Sequence, residues 1–75
     1  MNKSKLIMNI WRDHREQLSP NSRDLLMDMK RNRETITTER LIDTLKRLSF
    51  YEIGEAIDYV RNSIDKLQEE DKQCN

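Results

Sequence analysis

The sequence predicts an all-α fold, a small bundle of about four helices that associates as a dimer. Two observations set the class. Gly54 and Pro20 are the only glycine and proline in 75 residues, and apolar and polar residues nowhere alternate for long enough to make a strand. Apolar residues recur instead every three to four positions, the period that turns one stripe of a helix toward a core. The dimer follows from size. A chain this short buries only about 60% of the surface its unfolded form exposes, and 35% apolar against 37% charged residues leaves little to bury. Domains in this position add disulfides, a metal or a second subunit. Cys74 is the only cysteine, so an intrachain disulfide is excluded and a cysteine-held metal is implausible. Self-association is the remaining remedy.

The first helix is expected from about Ser4 to Gln17, with Leu6, Ile7, Ile10, Trp11 and Leu18 on one stripe and Trp11 as a core anchor. At Leu18-Ser19-Pro20 the chain stops and restarts. The Ser19 hydroxyl suits an N-cap, and Pro20 suits the first helical position, where no backbone donor is missed. Helix two then carries Leu25, Leu26 and Met29 on a narrow face and ends in Lys30, Arg31 and Arg33, cations that match the negative end of the helix dipole. Asn32 to Thr35 reads as a linker. Helix three opens with Thr37 as cap and an Ile36–Leu41 staple, and buries Leu41, Ile42, Leu45 and Leu48.

Ser49-Phe50-Tyr51-Glu52 has the form of a capping box, in which Ser49 and Glu52 each satisfy the other's backbone N–H. Helix four is therefore expected from Ser49 to about Glu70, roughly 30 Å at 1.5 Å per residue. Ile53, Ile57, Val60, Ile64 and Leu67 fall 4, 3, 4 and 3 apart, a seam like the apolar rows of a coiled coil. That seam either packs inside its own subunit or forms the dimer contact. Gly54 costs about 1 kcal/mol in a helix interior relative to Ala, which suggests close approach of another helix or a tolerated cost. Residues 1–67 thus form a single helical domain, and 68–75 a polar tail expected to fray.

No stretch reaches the roughly 20 apolar residues of a membrane span. Arg12, Asp13, Arg15 and Glu16 stand where a signal peptide would be apolar, so a cytoplasmic location is expected. Net charge is zero but divided: residues 1–47 hold 11 Lys/Arg against 7 Asp/Glu, and residues 48–75 hold 3 against 7. The basic front and acidic rear offer two different partner surfaces, or pair across subunits.

Catalysis finds little to work with. His14 is the only histidine, Cys74 the only cysteine, and no glycine-rich loop exists to cradle a phosphate. His14 lies at the edge of the first apolar stripe, where half-buried packing is the expected role. Glu52, Glu55 and Asp58 have no enclosing pocket signal for acid–base work. No enzyme activity, cofactor or metal is expected.

DNA binding is the alternative. Helices three and four resemble a helix-turn-helix in outline, but the first turns of helix four bear Glu52, Glu55 and Asp58 and no cation before Arg61, a surface that phosphates repel. A basic cluster of Lys30, Arg31 and Arg33, extended by Arg40, Lys46 and Arg47, is the candidate nucleic-acid contact of a small plasmid- or phage-type regulator. A solvated helix end explains the same cations. What remains is a protein-binding surface, with the seam from Ile53 to Leu67 and the aromatic rings of Tyr51 and Tyr59 as candidate interface residues. With only four aromatics, most are expected to be buried.

The order of Ile10-Trp11-Arg12 with Arg15, then Leu18-Ser19-Pro20-x-Ser22 with Leu25-Leu26, a charged linker, Thr37-Thr38-x-x-Leu41-Ile42 and Leu48-Ser49-Phe50 leading into Ile57 resembles the small negative regulators of AraC-type activators found in enteric bacteria. The likeness covers about residues 7 to 65. It implies a protein that binds an AraC-family transcription activator, blocks its dimerisation or DNA binding, and so damps virulence or colonisation genes. It carries over no particular site residue, and a structural adaptor remains a plainer reading of the same helices.

Overall fold

The computed structural model describes residues 2–52 and 54–73, with side chains as far as residue 70. Among the described residues four α-helices make the fold: α1 (Lys3–His14), α2 (Pro20–Arg31), α3 (Thr38–Arg47) and α4 (Glu55–Gln73). The chain is all-α, and among the described residues the only β-type pairing is an isolated antiparallel bridge between Leu18 and Phe50. Among the described residues no helix is long and apolar enough to cross a membrane.

The boundaries of the first three helices have local causes. The Asn2 side chain accepts from the Lys5 N–H at 3.0 Å and starts α1. This helix ends earlier than the expected Gln17, giving way to a tighter 3₁₀ turn over Arg15–Gln17, so Leu18 reaches full burial from an extended backbone rather than from the helix stripe. Pro20 opens α2 as expected, but Ser19 caps with its backbone conformation and makes no side-chain cap bond. The far end of α2 is closed by Asn32, whose side-chain amide donates to the Asp28 carbonyl at 2.9 Å, and by the Arg33 guanidinium, which donates to the Lys30 carbonyl at 2.7 Å.

Thr37 caps α3, its hydroxyl accepting from the Arg40 N–H at 3.1 Å, with Ile36 and Leu41 both buried beside it. Replacing Thr37 by Ala should cost about 1 kcal/mol, read as a lower urea midpoint at unchanged slope. A loss below about 0.3 kcal/mol would show that the cap contributes nothing beyond the staple.

The capping box at Ser49 does not form, and α4 begins six residues later than expected. The Ser49 N–H donates to the Ser22 hydroxyl at 2.7 Å instead of to Glu52, and the Ser49 hydroxyl lies 2.6 Å from that of Ser19 and 3.1 Å from that of Ser22. Two backbone bonds reinforce the seat, Ser19 N–H to the Ser49 carbonyl at 3.1 Å and Tyr51 N–H to the Gln17 carbonyl at 2.9 Å. A partner from across the fold has outcompeted the local cap. Gly54 accordingly lies before α4 rather than inside it, and its carbonyl accepts the first helical bond from the Asp58 N–H at 3.2 Å. A Cβ built on Gly54 would meet nothing within 4 Å, so close approach of another helix does not explain this residue.

The core draws on all four helices and their joints: Leu6, Ile7 and Ile10 from α1, Leu18, Leu26 and Met29, then Ile36, Leu41, Leu45 and Leu48, and Val60 and Leu67 from α4. Ala56 and Ser63 complete the buried row of α4, and the Ser63 hydroxyl is satisfied within the helix by the Tyr59 carbonyl at 2.8 Å. Helix α4 continues to Gln73, slightly past its expected end near Glu70. Cys74 and Asn75 lie outside the described residues.

Candidate functional site

The expected seam of helix four divides between two environments. Val60 and Leu67 are core residues at 3% and 1% exposure, so this edge packs within its own subunit. Ile57 and Ile64 are half-buried, and Ile53 lies outside the described residues. The row that buries best is Ala56, Val60, Ser63 and Leu67, one position toward the N-terminus from the pattern that the large apolar residues suggest. Small Ala56 and polar Ser63 hid it from a reading weighted to bulk.

Ile57 and Ile64 form one wall of an open groove between α3 and α4, of about 380 Å³. Leu45, Leu48 and Val60, all buried, make its floor, and half-buried Phe50 enters from the linker. Two charged side chains line it, Lys46 of α3 and Arg61 of α4, both exposed. A second, more open depression of about 550 Å³ on α3 is lined by Thr37, Glu39, Arg40, Ile42, Asp43 and Lys46, with both signs of charge. The α3–α4 groove is the more apolar of the two.

The groove owes its shape to the serine cluster. Because Ser49 is tied to Ser19 and Ser22, residues 48–50 stay out of the helix, and Phe50 is set against Leu18 by the isolated bridge. Had the capping box formed, Phe50 would have entered the helix. Tyr51 follows at 60% exposure, the large apolar side chain that stands in solvent among the described residues. It therefore precedes α4 and shares no helical face with Tyr59.

The other aromatics lie at the edge of the core, and none of the four is fully buried. Trp11 is half-buried, with the Lys30 ammonium 4.9 Å and the Arg15 guanidinium 5.5 Å from its ring centre. Tyr59 packs against the core and stacks at a tilt on His14, centroid to centroid 5.2 Å. The His14 Nδ1 is paired with the Gln17 side-chain oxygen at 2.9 Å. That is the packing role expected for this histidine.

Three cations of the alternative nucleic-acid reading are engaged, while Arg40 and Lys46 stand exposed. Lys30 sits over Trp11, Arg33 closes α2, and Arg47 pairs with Asp43 at 3.1 Å one turn earlier. Arg31 is exposed. The seven-residue connection over 48–54 also exceeds the three to four residues of a helix-turn-helix joint. A shifted titration belongs to the surface pair Arg12 and Asp13, where the hydrogen bond from Arg12 holds the Asp13 carboxyl below its ordinary range and the guanidinium is raised in turn. Both groups are solvent-exposed, so this pair contributes little to stability.

Comparison of the chain with protein-family models, with curated proteins and with solved structures finds no match to any of them.

Proposed function

We propose that this chain is a non-enzymatic negative regulator of transcription that binds an AraC-family activator and keeps it from dimerising or from reaching DNA. The observation that carries the protein-binding part is the α3–α4 groove. Its wall of Ile57 and Ile64, the Phe50 ring at its end and the solvent-exposed Tyr51 nearby in sequence combine apolar surface with aromatic anchors, the composition of an interaction hot spot. The class of partner rests on the resemblance of the sequence to regulators of AraC-type activators.

Charge favours this reading over direct DNA binding. Exposed Glu55 and Asp58 stand in the first turn of α4, where a recognition helix would need donors for base edges and phosphates.

The test uses the purified chain with an AraC-type activator and its promoter duplex. Co-elution of chain and activator on size exclusion, with loss of the activator–DNA band as the chain is titrated in, is the expected result. The reading fails if the chain leaves the activator on its DNA, or if the chain alone shifts the duplex with an affinity that falls steeply with salt.

A further inference from the structure

We propose that the α3–α4 groove receives an amphipathic helix with acidic flanks, presented by the partner protein. This rests on the reading of the chain as a protein-binding regulator and names the shape and charge of what it binds.

Length is the first argument. Ile57 and Ile64 are seven residues apart on one face of α4, two turns or about 10 Å. A helix that places apolar residues at i, i+3 or i+4, and i+7 spans the same distance, and laying such a stripe into a groove between two helices is a recurrent mode of recognition. Leu45, Leu48 and Val60 make the groove floor apolar, and the one uncharged polar side chain of the lining, Ser49, is already engaged by Ser19 and Ser22, so an apolar inward face on the occupant fits best.

Charge is the second. The two ionisable groups of the groove are Lys46 and Arg61, one on each bounding helix, and neither makes an ion pair or side-chain hydrogen bond among the described residues. Arg12, Arg33 and Arg47 each have an acidic partner in the chain; Arg31 and Arg40 are open as Lys46 and Arg61 are, but only Lys46 and Arg61 stand on either side of an apolar groove. Two uncommitted cations on opposite lips fit carboxylates on both flanks of an apolar stripe. They would repel a basic one, and the rim charge thereby selects the partner and speeds its encounter.

The test uses two helical probe peptides of about 15 residues, identical in an apolar row at the spacing above, one with Glu on its flanks and the other with Lys. Chemical-shift mapping on the full chain should place the Glu peptide on the amides of Phe50, Ile57 and Ile64. The Lys peptide should bind about tenfold more weakly, the sum of two exposed ion pairs made or reversed. The double variant Lys46→Glu with Arg61→Glu, at two exposed positions whose folding is checked by circular dichroism, should invert the preference. Independently of any variant, the Glu peptide's affinity should fall between low and high salt.

Equal binding of both peptides, shifts that map elsewhere, or no binding overturn the proposal. So does a chain that sediments as a dimer and becomes monomeric in the double variant, since a second copy then occupies the groove. If the chain captures an activator but ignores the Glu peptide, the regulatory reading stands and this inference falls.

Discussion

Replacing Leu26 by Ala should cost about 2–5 kcal/mol, the sum of lost transfer energy and the cavity left behind. Leu26 lies in the middle of α2 at 0% exposure, inside the cluster that joins α1, α2, α3 and α4. A domain of this length has about 4–11 kcal/mol in total at 0.05–0.15 kcal/mol per residue. One methyl-rich side chain is therefore a large share of the whole. Urea denaturation followed by far-UV circular dichroism should show the midpoint fall by about a fifth or more, in proportion to that share. Ile64→Ala is the contrast, because its side chain is half-buried on the groove wall. It should cost less than half as much, and similar losses at the two sites would mean that the groove wall is core.

Replacing Ser22 by Ala should be the next most damaging change, at about 1–3 kcal/mol for a donor left without its acceptor. Ser22 is 1% exposed and its hydroxyl receives the Ser49 N–H at 2.7 Å. The alanine removes little volume, so the effect separates hydrogen bonding from packing. Hydrogen exchange supplies the specific readout: the Ser49 amide should lose protection while amides in the middle of α2 keep theirs relative to global unfolding. Ser19→Ala removes only the 2.6 Å hydroxyl contact near the surface and should cost less. If Ser22→Ala leaves both stability and Ser49 exchange unchanged, water replaces the serine and the linker is held by Phe50 and the backbone bridge alone.

The helices were legible where the information is local. Pro20 and Thr37 mark starts by chemistry that involves only the next turn, and the stripes of α1 to α3 follow from period alone. The capping box at Ser49 was misread because the motif states a possibility, and a competing acceptor 27 residues away in sequence cannot be seen from four letters. The same contact set the start of α4 and the position of Gly54. The 3₁₀ turn at Arg15 has a similar origin, since it aims Leu18 inward to meet the linker.

The candidate site was half legible for a related reason. The seam from Ile53 to Leu67 ranked residues by size, whereas the helix turned Ala56 and Ser63 inward and left Ile57 and Ile64 on a flank. Side-chain bulk tells which residues gain most from burial, but a neighbouring helix decides which ones obtain it. Lys46 and Arg61 were not read as a pair because they are 15 positions apart in sequence and come to line one groove only once α3 and α4 pack side by side.

The Trp11 indole, the single tryptophan of the chain, sits between Arg15 at the end of its own helix and Lys30 at the end of α2. Its fluorescence is therefore a built-in gauge of one joint, the meeting of the first two helices. Emission and ellipticity recorded through the same melt would coincide for a chain that unfolds as one unit. If α4 peels away first, ellipticity falls while the indole still reports an intact neighbour.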